Sequence, residues 1–172
     1  DYIKNSIYKT YLACDAVSEE ILLSHHYRCN EKIIAFNNQK YYNNKLVINS
    51  QSQADTPLIF KNIAGNTTNY KNTAPREAEE FIKDNPDKSI GVITPFTNQK
   101  ELIHAMLQEN GMKDVPCGTV HAFQGDEKDV VLFSLALTEQ TGQGTYDWLK
   151  NNKELINVAT SRAKEQLVIP FL

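Results

Sequence analysis

The 18 basic residues include three arginines, Arg28, Arg76 and Arg162. A guanidinium is planar, permanently charged and forked, so it can bridge two phosphate oxygens where a lysine ammonium acts as a point charge. In a chain that draws most of its positive charge from lysine, each arginine is worth interrogating. Tyr27-Arg28 follows the apolar run Ile21-Leu22-Leu23, and Ser161-Arg162-Ala163 precedes the apolar run Leu167-Val168-Ile169. Two other strings share the setting. Thr94-Pro95 follows Ile90-Gly91-Val92-Ile93, where Thr can cap a helix, Pro suits its first turn, and free backbone N–H groups can face an anion. The string Thr119-Val120-His121-Ala122-Phe123-Gln124-Gly125-Asp126-Glu127 leads into Val130-Val131-Leu132-Phe133. Each has a plainer reading. Thr-Pro can simply start a helix, Gly125 can be a turn, Arg28 can pair with a surface carboxylate, and Arg162 can neutralise a helix C-terminus.

The elements that must carry these residues are read from hydrophobic patterning. Short apolar runs at Ile21–Leu23, Leu58–Phe60, Ile90–Ile93, Val130–Phe133 and Leu167–Ile169 are expected as strands buried on both faces, as a parallel sheet requires. Helices are expected over Asn30–Tyr42, Pro75–Asp84, Gln99–Asn110 (stopped by Gly111) and Lys153–Lys164. Asn49–Asp55, Asn62–Ala74 and the Gly142–Gly144 stretch read as loops, and the Asn pairs favour helix ends and turns. Alternating strands and helices imply a three-layer α/β domain, with ligands beyond the carboxyl ends of the strands.

Length and composition narrow the function classes. A chain of 172 residues fits one domain, and 41% hydrophobic with 23% charged residues is ordinary for a folded protein. The formal charge of −3 argues against a basic nucleic-acid coat but leaves room for a local phosphate site. No apolar run approaches the roughly 18 residues of a membrane span, so no membrane partner is expected. Cys14, Cys29 and Cys117 form no CxxC pair and leave an odd count, which favours a reducing, cytoplasmic setting. The four histidines lack zinc-ligand spacing, so no metal held by this chain is expected.

In order, the chain carries His-Tyr-Arg-Cys-Asn, Gly-Val-Ile-Thr-Pro-Phe-(x)2-Gln, Thr-Val-His-Ala-Phe-Gln-Gly-Asp-Glu-Lys-Asp-Val-Val and Asn-Val-Ala-Thr-Ser-Arg-Ala-Lys. This series resembles motifs IV, IVa, V and VI of superfamily 1 helicases, in particular the Upf/Dna2-like branch, over roughly residues 20 to 170. The resemblance implies the second RecA-like domain of a P-loop NTPase-type motor, with ATP in a cleft between two domains. The first domain would supply the phosphate loop and the carboxylates that hold Mg2+. Arg28 and Arg162 match the arginines that reach the γ-phosphate, Arg162 as the arginine finger. Tyr27 matches an aromatic near adenine, and Gln124, Gly125 and Glu127 fall in the motif V stretch at ATP, with Glu127 accepting from ribose hydroxyls. Thr94, Pro95, Thr119 and His121 match positions facing the backbone of single-stranded DNA or RNA, where small hydroxyls and amides bind phosphates without reading bases. The chain has no GxxxxGK[ST] and no acidic pair ending an apolar strand. Residues 1–172 are therefore expected to be one excised domain, inactive alone, whose partner is the first RecA-like domain of the same protein. His121 stands where many relatives carry aspartate. The alternatives are a motor-derived nucleic-acid or protein binding module without catalysis, and an unrelated doubly wound nucleotide binder.

Overall fold

The computed structural model describes residues 7–14, 21–52, 54–63, 73–77, 89–123 and 126–171. In chain order the elements are α1 (Ile7–Cys14), β1 (His25–His26), α2 (Glu31–Tyr41), β2 (Val47–Ile48), β3 (Leu58–Asn62) and β4 (Ile90–Thr94). They continue with α3 (Thr97–Glu109), β5 (Cys117–Thr119), β6 (Lys128–Phe133), α4 (Gln143–Asn151), α5 (Lys153–Thr160) and β7 (Ala163–Phe171).

Five strands form a wholly parallel sheet in the order β3-β7-β6-β4-β5, and β1 pairs with β2 in a separate parallel ribbon. Successive residues of a strand point to opposite faces, and here the two faces build two cores. Ile93, Val131, Phe133 and Leu167 pack with Ile33 and Ile34 of α2 and Ala159 of α5. Ile90, Val92, Val130, Leu132 and Val168 pack with Ile103 and Leu107 of α3. Helices on both sides of a parallel sheet give the three-layer α/β architecture read from the alternating pattern.

Gly91 has a specific reason to be glycine. A Cβ there would lie 2.7 Å from Phe123 Cζ and 2.9 Å from Lys128 Cγ. The Phe123 ring, itself buried, packs against β4 at this point. At the end of α3, Gly111 takes φ +73°, and Met112 N–H donates to Leu107 C=O at 2.9 Å, so the helix stops there as expected. Asn43 and Asn44 also adopt left-handed backbone, φ 51° and 60°, in the turn between α2 and β2.

Several expectations are corrected. Ile21–Leu23 is not a buried strand. These residues are irregular, with Ile21 82% and Leu23 87% exposed, and the pairing begins only at His25. The run was expected inside the main sheet, but β1 lies outside that sheet and pairs with β2 alone among the described strands. The helix expected over Lys153–Lys164 ends at Thr160; residues 161 and 162 turn, and β7 begins at Ala163. Gly142–Gly144 is not a loop, since Gly142 caps α4 and the helix runs from Gln143. There a Gln143–Asp147 side-chain bond of 3.0 Å, one turn apart, supports a segment whose intrinsic helix propensity is poor. The N-cap of α3 is Phe96 rather than Thr94. Of the helix expected from Pro75, residues 75–77 are helical and residues 78–84 lie outside the described residues.

Candidate functional site

The sheet presents two edges, and the singled-out residues divide between them. Thr94 and Thr119 end β4 and β5 and sit side by side in register. Glu127 and Arg162 instead precede β6 and β7, where Lys128 N–H donates to the Arg162 carbonyl at 3.1 Å. Ligands were expected beyond the carboxyl ends of the strands; Thr94 and Thr119 lie there, and Glu127 and Arg162 do not. A strand rises about 3.3 Å per residue, so roughly 15–20 Å of sheet separates the two edges.

At the amino-terminal edge, three segments distant in sequence converge. Arg28 Nε lies 3.0 Å from Glu127 Oε2, both side chains being about one-third exposed (37% and 35%). Arg162 Nε donates to the Val158 carbonyl at 3.2 Å, at the C-terminal end of α5. Both plainer readings, a carboxylate partner and a helix-end contact, thus describe real contacts. Each contact uses Nε, the inner guanidinium nitrogen. Burial lowers the Arg162 pKa first, and the positive charge of Arg28 lowers it further, against Glu127 and Cys29. A second guanidinium close enough to disfavour the charge on Arg162 makes a site where an anion is favourable.

The segment bearing Arg28 is anchored from both sides. Cys29 N–H donates to His26 Nε2 at 2.9 Å, so that nitrogen is an acceptor and the ring proton belongs on Nδ1. Burial, then Arg28, lowers the His26 pKa, which favours this neutral form. The Cys29 thiol donates to the Ser161 carbonyl at 3.3 Å, and burial pushes it up to about 12, so it is a packing group rather than a nucleophile. Asn30 N–H donates to the Lys164 carbonyl at 2.8 Å, and its side chain caps α2 by accepting from Lys32 N–H at 3.0 Å. Beside them Tyr27 is 67% exposed and stacks on His25, with ring centroids 6.2 Å apart. Gln124 and Gly125 lie outside the described residues.

At the carboxyl-terminal edge, Thr94 is fully buried and its hydroxyl accepts from Phe96 N–H at 3.3 Å. Pro95 and Thr119 are half-buried, and His121 is exposed. Phe96 meets Trp148 of α4 with ring centroids 5.7 Å apart. Beneath this edge lies a buried polar chain that sequence reasoning missed. Gln99 Nε2 donates to Ser134 Oγ at 2.9 Å, and the Ser134 hydroxyl donates to Glu77 Oε2 at 2.6 Å. Ala74 N–H donates to Gln99 Oε1 at 2.7 Å, and Gln99 Nε2 also reaches the Ala74 carbonyl at 3.0 Å. Burial raises Glu77 to about 7, opposed by its bonds from Ser134 and Ala136. Gln99 stands in the Thr-Pro-Phe-(x)2-Gln string, which was the available signal. Glu77 reads in sequence as a first-turn acid on a solvated helix, and nothing local says it points inward.

Among the described residues, no group of three or more His, Cys, Asp or Glu side chains could hold a metal ion, and no helix is long and apolar enough to cross a membrane.

A family model described as an AAA domain matches residues 66–170. The chain is 31% identical to the DNA polymerase alpha-associated DNA helicase A of Saccharomyces cerevisiae, over 83% of this chain and 26% of that protein. It is 29% identical to the ATP-dependent helicase upf1 of Schizosaccharomyces pombe, over 68% of this chain and 14% of that protein. With the RNA helicase Mov10l1 of mouse it shares 26% identity, over 91% of this chain and 16% of the relative. The chain thus spans about a quarter or less of the length of these relatives. The crystal structure of the C-terminal domain of a possible DNA helicase from Lactobacillus plantarum superposes with a TM-score of 0.54 at 14% identity. That match covers 85% of this chain and 87% of that one, and it shows a shared fold.

Proposed function

Because the chain belongs to the AAA domain family, in the Upf1/Dna2 branch of superfamily 1 helicase domains, we propose that it is the second RecA-like half of an ATP-dependent helicase motor. Its amino-terminal strand edge faces ATP across a cleft from the first RecA-like domain. Its carboxyl-terminal strand edge follows the backbone of single-stranded DNA or RNA. The observation that carries this reading is the convergence of Arg28, Glu127 and Arg162 from three separate segments.

The donor set suits a polyphosphate. Two permanently charged forks can share the γ-phosphate oxygens as charge develops in transfer, and a finger of this kind is worth about 10³–10⁵ in rate. Arg28 exchanges Glu127 for the phosphate, which frees the carboxylate to accept from ribose hydroxyls. Arg162, held through Nε, offers its outer nitrogens. Tyr27 offers an exposed ring to adenine, and Gln124 and Gly125 complete the ATP side of motif V. Mg2+, held by the first domain, would supply neutralisation of the phosphate charge. On the opposite edge Pro95, Thr119 and His121 meet the nucleic-acid backbone. Thr94, fully buried and accepting from Phe96 N–H through its hydroxyl, contributes by fixing the turn that presents Pro95. The free thiols of Cys14, Cys29 and Cys117 support a reducing, cytoplasmic setting.

The test is ATP turnover with and without a single-stranded oligonucleotide. The full-length protein is expected to hydrolyse ATP faster with the strand present, and the 172-residue chain alone to stay at background. Turnover by the chain alone would contradict the shared site. A full-length protein that binds the strand but never turns over ATP would be the binding module instead.

A further inference from the structure

Between the two arginine-bearing segments lies a buried hydrogen-bond clasp that joins α2 to α5. Asn37, in the middle of α2, has no solvent exposure. Its Nδ2 donates to the Asn157 carbonyl at 3.1 Å and to Asn157 Oδ1 at 2.8 Å. Its Oδ1 lies 3.0 Å from the Thr160 hydroxyl, whose single proton it shares with the Ile156 carbonyl at 2.8 Å. The amide orientation follows from chemistry. The Asn157 carbonyl only accepts, so the nitrogen of Asn37 must face it. Asn157 Nδ2 in turn donates to the Tyr42 hydroxyl at 3.1 Å, just past the end of α2.

The arrangement relates directly to the arginines. Asn30, the cap of α2, is two residues after Arg28, and Thr160 is two residues before Arg162. Cys29 to Ser161 and Asn30 to Lys164 tie the near ends of the same two segments. Apolar packing between α2 and α5 would hold the helices together without fixing their sliding or rotation. A buried amide with both donors and its acceptor engaged admits one register, because any slip leaves a buried polar group unpaired.

We propose that Asn37 is a positioning residue for ATP hydrolysis: through Asn157 and Thr160 it sets the position of Arg162 relative to Arg28. The inference rests on the assignment of both arginines to the γ-phosphate. Misplacing a fork by a fraction of an ångström weakens its hold on the transition state more than on the ground state, so kcat falls while KM does not.

The experiment uses the full-length protein with Asn37→Leu, similar in size, and Thr160→Val, which removes only the hydroxyl on the Arg162 side. Each is measured for ATP kcat and KM in the native background and with Arg162→Lys. The expected result is a fall in kcat of about tenfold for Asn37→Leu and a smaller fall for Thr160→Val, with KM within about twofold. In the Arg162→Lys background both losses should vanish, because the fork they position is gone. Unchanged kcat with a lowered melting temperature would overturn the proposal, as would raised KM at constant kcat. Equal kcat losses in both backgrounds would overturn it too. Native turnover by Arg162→Ala would sink the arginine assignment itself, a result separable from all of these.

Discussion

At the scale of single residues, the scarcity of arginine was informative. Of three guanidiniums, Arg28 and Arg162 meet at one strand edge, while Arg76 is exposed on the helical turn at 75–77. What a sequence could not give was their surroundings. Glu127 lies 99 positions from Arg28, and the ion pair between them depends on packing β1 and α2 against the starts of β6 and β7. Gly91 makes the same point for stability. It reads as one glycine in an apolar strand, and only the Phe123 ring lying 2.7 Å from an added Cβ explains it. Gly91→Ala should force that ring and the Lys128 stem to shift within a close-packed layer. The expected cost is about 1–3 kcal/mol, read as a lowered midpoint in chemical denaturation. An unchanged midpoint would mean the ring is not fixed where it lies.

At the scale of elements, patterning succeeded where a run was buried on both faces and long enough to show its period. β4 and β6 are of this kind, and α2 and α3 each show the helical period through one buried face. It failed at the two-residue strands β1 and β2 and the three-residue β5, which carry too few residues for any period, and at α4, where local propensity is weak. It also missed which way Glu77 faces. That carboxyl joins the helical turn at 75–77 to the segment after β6, where Ala136 adopts φ +48° and its N–H lies 3.4 Å from Glu77 Oε2. A non-glycine residue in left-handed backbone persists when its surroundings over-determine it, and this bond is part of that surround. Burial raises the Glu77 pKa from 4.5 to about 7. Between those values the folded chain holds a proton that the unfolded chain has released. Stability from this group is therefore full below pH 4.5 and is lost as pH rises to about 7, on the order of 3 kcal/mol. Glu77→Gln should remove that fall, since an amide neither gains nor loses a proton. The measurement is unfolding free energy against pH for both chains. Parallel curves between pH 4.5 and 7 would show that Glu77 titrates normally.

At the scale of the whole molecule, the proposed function gives the domain two working faces, one at each strand edge, with the five-stranded sheet between them. A net charge of −3 is compatible with the proposed division, in which the charge facing an anion would be concentrated in two guanidiniums and the opposite edge would offer hydroxyls, amides and His121. On the proposed function, a shift at the arginine-bearing edge would be carried across the sheet to the opposite edge, as a translocating motor would need from its second domain. The most direct check on this division of labour is Arg162→Ala in the full-length protein, with ATP turnover, ATP binding and single-strand binding measured side by side. The expected result is turnover lowered about 10³-fold or more, with the fold intact and the strand still bound at the opposite edge. Native turnover in that variant would contradict the assignment of Arg162 to the γ-phosphate.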